Sequence, residues 1–218
     1  MLTRALFIVI AVAAAVFYMA TRSWGDDHLA VRLAFKAVPV LLLMTWVQMS
    51  LPTSTNGKSF ARLLQVGLLL CVIGDVVLDL HFVGGLAAFL CGHLLYVAAF
   101  FVGKPPLRLA WFVPFALWGG GVAMWAWPGM VEKNMAGPVA FYIAVITVMM
   151  WRSCARMGRP ITRAQWLGFL GAFLFGLSDS FIAVRMFIAD FALAKYGILA
   201  YWSGQWGIAA SAAFYDDN

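Results

Sequence analysis

Residues 60–102 read FARLLQVGLLLCVIGDVVLDLHFVGGLAAFLCGHLLYVAAFFV. Two apolar runs, 60–82 and 84–102, meet at a tight boundary and hold few charged side chains: Arg62, Asp75 and Asp79. Each run has about the 20 apolar residues that cross a bilayer as a helix. Neither alternates apolar with polar residues as a barrel strand does, so helices are the reading. Working outward, six more segments qualify: 3–20, 31–50, 108–127, 136–151, 165–187 and 196–214. The expected fold class is all-α: a polytopic membrane helix bundle of about eight transmembrane helices, with residues 1–218 as a single integral membrane domain. Leu6–Ala20 follows Arg4 and imitates a signal peptide, but is kept as a span because an odd number would otherwise remain.

The composition agrees. Of 218 residues, 64% are hydrophobic, 16% aromatic and only 11% charged. A soluble domain is about 45–50% apolar and about 25% charged. That excludes a soluble globular protein, a disordered chain and a nucleic-acid partner. The connections carry turn signals: Pro52-Thr53-Ser54-Thr55-Asn56-Gly57, Gly103-Lys104-Pro105-Pro106, Trp127-Pro128-Gly129 and Gly158-Arg159-Pro160. Cys71, Cys91 and Cys154 lie in or beside apolar runs and read as small apolar fillers.

The net charge of +6 reads as membrane orientation. One side would carry Arg4, Lys58, Arg62, Lys104, Arg108, Arg152, Arg156, Arg159 and Arg163; the other Arg22, Arg32, Lys133, Arg185 and Lys195. The excess on the first side predicts that both termini are cytoplasmic, and the expected location is a bacterial inner membrane. The Arg152–Arg163 cluster supplies most of the bias.

Ionisable groups inside spans are expensive and mark function by default. They are Lys36, Asp75, Asp79, His93, Asp179 and Arg185, with Gln205 as a strongly polar amide. Counted from span ends at 1.5 Å per residue, Asp75 and Asp179 lie roughly 10–12 Å deep and His93 and Gln205 roughly 13 Å. These polar groups therefore fall on one level of the outer half. Asp75 and Asp79, four residues apart, share a helix face. Gly84, Gly85, Gly119 to Gly121, Gly168, Gly171 and Gly176 read as close-packing positions. A weak internal repeat is visible: Ile73-Gly74-Asp75-Val76-Val77-Leu78 is like Leu177-Ser178-Asp179-Ser180-Phe181-Ile182, and Gly92-His93 and Gly204-Gln205 follow in the next spans. The offset of four spans implies a parallel four-plus-four repeat that would bring Asp75 face to face with Asp179.

Two carboxyls sharing a low-dielectric site can hold one acid and one base near neutral pH, as hydrolysis of an acid-labile ether requires. The bland reading is a structural carboxyl paired with Lys36 or Arg185. Asp79 and His81 read as solvated span ends. Three histidines, one of them in a loop, do not make a three-His zinc site, although His81 and His93 with an Asp stay open as a two-His site. GxSxG is absent. Asp75-x-x-x-Asp79 is similar to the magnesium–diphosphate motifs of prenyltransferases, but Asp179 and Asp190 have the wrong spacing for the second motif. Lys36 and Arg185 are candidates for a lipid phosphate or for snorkelling to the interface.

The motifs also carry a family resemblance. Gly74-Asp75-Val76-Val77-Leu78, followed by Phe82-Val83-Gly84-Gly85-Leu86 and Cys91-Gly92-His93-Leu94-Leu95-Tyr96, resembles the signature of the YhhN-like lysoplasmalogenase family. Gly171 to Ser180 resembles its second acidic motif, Tyr201-Trp202-Ser203-Gly204-Gln205 its last helix, and Lys36 with Pro39 the start of its second helix. Gly204-Gln205-Trp206-Gly207 is more aromatic than the family's usual Gln-Leu-Ile continuation. The resemblance implies hydrolysis of the vinyl ether of a lysophospholipid drawn from membrane lipid, without a metal or organic cofactor. Asp75 and Asp179 are then the expected catalytic pair. Lys36, Asp79, His93, Tyr96, Ser178, Tyr201 and Gln205 are the expected substrate-binding residues. Two other readings use the same polar cluster: the binding site of a small lipid or solute transporter, or carboxyls that only pair helices.

Overall fold

The computed structural model describes residues 2–21 and 28–215. Arg22, used above in the charge count, lies outside them. The described chain forms eight α-helices: α1 Leu2–Thr21, α2 Leu29–Met49, α3 Thr55–Leu80, α4 Phe82–Phe101, α5 Phe112–Glu132, α6 Ala136–Ala155, α7 Arg163–Phe187 and α8 Gly197–Ala213. Short 3-10 turns, Leu109–Trp111 and Ala192–Tyr196, lead into α5 and α8. Among the described residues, α2 to α7, with α5 counted from Leu109, are long and apolar enough to cross a membrane; α8 has 17 residues and the apolar stretch Val9–Thr21 of α1 is shorter. The protein is a polytopic helical membrane bundle.

Side-chain caps mark where α3, α4 and α7 start. Ser54 precedes α3, and its hydroxyl accepts from the Gly57 amide at 3.0 Å. The Thr55-Asn56-Gly57 stretch, read above as turn, is therefore the first turn of α3. His81 ends α3 and begins α4: its Nδ1 accepts from the Gly84 amide at 3.0 Å, so one residue joins two helices. Thr162 and Gln165 form a capping box on α7.

Pro128 corrects the sequence expectation. Trp127-Pro128-Gly129 does not end the fifth span at 127; α5 continues through it to Glu132. Gly129 faces the end of α7 so closely that a β-carbon there would lie 1.9 Å from the Phe187 carbonyl oxygen. Packing against α7 overrides the breaker signal of Pro-Gly.

Six helices close a ring in the order α2–α3–α4–α6–α7–α8, while α1 lies against α2, and α5 against α6 and α7. The tightest pairs are α3 with α4 and α7 with α8. Glycine permits both. A β-carbon on Gly85 would meet the Leu78 backbone at 2.4 Å, and one on Gly171 the Ile208 amide nitrogen at 2.5 Å. Gly120 and Gly121 do not fit that expectation: each faces open space.

At the end holding the α3 and α7 N-termini, the basic cluster does more than orient the chain. Arg152 is completely buried, and its guanidinium donates to the carbonyls of Pro105, Pro106 and Leu107 while lying 4.1 Å from the Phe101 ring centroid. Arg156 donates to the Ala99 and Val102 carbonyls. These contacts tie the end of α4 and the loop after it to the end of α6.

Candidate functional site

Each ring helix sends a polar side chain inward: Lys36 from α2, Asp75 from α3, His93 from α4, Tyr142 from α6, Asp179 from α7 and Gln205 from α8. All are largely enclosed. Four of them, Lys36, Asp75, Tyr142 and Asp179, line a cavity of about 410 Å³ with Asp79, Ser178 and Tyr201 among mostly apolar residues.

Two carboxyl centres face the cavity. Asp75 Oδ2 accepts from the Tyr201 hydroxyl at 2.6 Å, and its Oδ1 lies 3.9 Å from Lys36 Nζ. Lys36 also donates to the Asp75 carbonyl at 2.9 Å and to Asp79 Oδ2 at 3.1 Å. Asp79 is thus not only a solvated span end: it is 33% exposed and shares the Lys36 ammonium. The i, i+4 spacing explains why one lysine reaches both turns.

Asp179 has a different setting. Its Oδ2 accepts from the Tyr142 hydroxyl at 2.7 Å and lies 4.0 Å from His93 Nε2. Among the described residues no lysine or arginine pairs with it. The two aspartates line one wall-to-wall space but differ in their nearest charge.

His93, Tyr96 and Gln205 do not line the cavity; they stand behind its wall. Tyr96 donates to Gln205 Oε1 at 2.7 Å, Gln205 Nε2 lies 3.4 Å from the Tyr201 hydroxyl, and Tyr201 donates to Asp75. One chain of hydrogen bonds therefore links α4, α8 and α3. His93 packs edge-on against Phe175 at 4.5 Å between ring centroids, and Phe175 packs in the same way against Tyr201 at 5.2 Å. The aromatic block fixes the orientation of both polar centres.

The sequence reading missed Tyr142, which supplies the phenol on Asp179. Its signal was weak: a tyrosine in a mostly apolar span that also holds Thr147, with no spacing that points to α7. Trp118, whose indole donates to the Ser180 hydroxyl at 3.1 Å on the cavity wall, was missed for the same reason.

The arrangement offers two largely enclosed carboxyls with unlike electrostatic surroundings on an apolar cavity, a combination suited to proton transfer on a lipid-like molecule. Known proteins agree in family. Over 180 residues the chain is 33% identical to lysoplasmalogenase TMEM86B of Homo sapiens, covering 81% of this chain and 73% of that one. It is 31% identical to the protein of the same name from Sus scrofa over 176 residues, 78% of this chain and 70% of the relative. It is 30% identical to a lysoplasmalogenase of Mycobacterium bovis over 171 residues, 74% of this chain and 62% of the relative. No solved structure matches it. The YhhN family model matches residues 31–212, which contain every polar centre described above, and the chain belongs to the YhhN family.

Proposed function

We propose that this protein is a membrane hydrolase that cleaves the vinyl ether bond of lysoplasmalogens, with alkenyl-glycerophosphoethanolamine or alkenyl-glycerophosphocholine as substrate. The products are a fatty aldehyde and the glycerophospho headgroup. The observation that carries the reading is the pair Asp75 and Asp179 on one apolar cavity, in a chain whose relatives are named lysoplasmalogenases.

The unlike surroundings support a division of roles. Asp179 stands beside a phenol and an imidazole and serves as the acid. It gives its proton to the alkenyl carbon remote from the ether oxygen, and the double-bond electrons form that C–H bond. The adjacent carbon becomes an oxocarbenium. Asp75, held by Tyr201 and countered by Lys36, serves as the carboxylate that stabilises this cation and then takes a proton from the attacking water. The hemiacetal collapses to aldehyde and alcohol, its hydroxyl proton passing to the leaving glycerol oxygen; the proton on Asp75 returns to Asp179, so both carboxyls are restored and one water is consumed. Ser178, Tyr201, Lys36 and Asp79 contact substrate in this reading. His93, Tyr96 and Gln205 act from behind the wall as positioning residues.

We place both termini in the cytoplasm on the distribution of Lys and Arg between the two sides, the protein in a bacterial inner membrane on its short loops and small size, and treat residues 1–218 as one membrane domain. The cavity then opens on the outer side.

The test is aldehyde release by purified protein in detergent from a lysoplasmalogen beside a matched ester lysolipid. Wild type should release aldehyde from the vinyl ether alone. Asp75→Asn and Asp179→Asn should each lose about a hundredfold to ten-thousandfold in rate, the contribution of one positioned acid or base. Full activity in both variants refutes the mechanism. No aldehyde from folded wild type refutes the reading and directs attention to counterflow in proteoliposomes, the signature of a transporter.

A further inference from the structure

We infer that Lys133 and Arg185 hold the phosphate of the lipid headgroup at the mouth of the cavity. The inference rests on the lysolipid reading above and names the part of the site that would recognise the headgroup.

Three cations line the cavity: Lys36, Lys133 and Arg185. Lys36 is already engaged by Asp75 and Asp79. The other two both lie at the end of α7. Lys133, the residue after α5, donates to the Met186 carbonyl, and its Nζ lies 5.7 Å from the Phe187 ring centroid. Arg185, the neighbour of Met186, is about half exposed, and its Nε lies 3.6 Å from Asp190 Oδ1. Residues from separate helices thus bring two positive side chains to one rim.

The placement matches the length of a lysolipid. Arg185 follows Asp179 by six residues on α7, roughly 9 Å along the axis. A glycerol backbone separates the ether oxygen from phosphorus by roughly 6 Å when extended, and the alkenyl carbons add about 2 Å. A chain with its vinyl ether beside Asp179 therefore carries its phosphate to the level of Arg185. Long cationic side chains that keep their heads at the interface suit that level.

A plainer role competes. Lys and Arg in the last turn of a helix also answer its terminal carbonyls and dipole. That role predicts loss of stability on removal but no preference between ligands. The carboxylate of Asp190 is the present partner of Arg185, and a bound phosphate would share or displace it.

The experiment measures binding, not turnover. The probes are a saturated 1-O-alkyl lysophospholipid, which has no vinyl ether, and the matched 1-O-alkylglycerol, which has no phosphate. Quenching of tryptophan fluorescence in detergent reports each affinity. Wild type should bind the phospholipid about tenfold or more tightly than the alkylglycerol, the effect of a charge-assisted contact. The double variant Lys133→Gln/Arg185→Gln should lose most of that preference, and Arg185→Lys should keep part of it. Wild type that binds both probes equally overturns the inference without recourse to any variant. So does a double variant that keeps the wild-type preference. Inorganic phosphate should compete weakly; competition as strong as that of the intact lipid overturns the headgroup assignment in favour of a free-phosphate site. The aldehyde assay separates the two ideas: aldehyde release with no phosphate preference leaves the hydrolase reading standing and removes this one, and the opposite pair of results does the reverse.

Discussion

Replacing Lys36 by Met tests the electrostatic core of the site. Lys36 Nζ makes hydrogen bonds of 2.9 Å to the Asp75 carbonyl and 3.1 Å to Asp79, and lies 3.9 Å from the Asp75 carboxyl. The side chains of Lys36 and Asp75 are 7% and 2% exposed, so neither charge is rescued by water. Removing one partner of a buried pair costs about 3–5 kcal/mol because the other is left uncompensated. The low end applies here. Asp79 is a third exposed and can rehydrate, and Asp75 keeps its bond from Tyr201. About 3 kcal/mol in a chain of this size lowers the unfolding midpoint by roughly 6–12 °C. Lys36→Met/Asp75→Asn should recover most of that stability, because the uncompensated charge is gone, yet remain inactive. Thermal unfolding in detergent and aldehyde release check the two halves. A Lys36→Met variant as stable as wild type refutes the ion-pair reasoning. An active double variant refutes the role given to Asp75.

Two further predictions follow from the packing and the hydrogen bonds. Tyr142→Phe removes the phenol on Asp179 and should lower kcat about tenfold, the kinetic equivalent of one hydrogen bond to a reacting carboxyl, with little change in KM; an unchanged kcat shows that the phenol does not position the acid. Gly171→Leu should unfold or strongly destabilise the protein, because its β-carbon would sit 2.5 Å from the Ile208 nitrogen, whereas Gly120→Ala faces open space and should be nearly neutral; comparable detergent unfolding midpoints for the two variants would contradict the α7–α8 contact.

Sequence alone determined the fold class, the helix positions to within a few residues, and most members of the polar cluster. The reason is energetic: a bilayer tolerates long apolar helices and penalises buried ionisable groups, so Lys36, Asp75, His93, Asp179 and Gln205 stand out against their spans. Tyr142 did not stand out, because a tyrosine in an apolar run is ordinary and its partner lies 37 residues away on α7. Pro128 misled, because its breaker signal is local while the contact of Gly129 with the Phe187 carbonyl is not. The common depth of the polar groups could be counted along each span, but depth has no azimuth. Only the ring order of α2, α3, α4, α6, α7 and α8 put Asp75 and Asp179 on the cavity and His93, Tyr96 and Gln205 behind its wall. That order depends on which glycines let which helices touch, and close packing between distant segments is written in no single stretch of the chain.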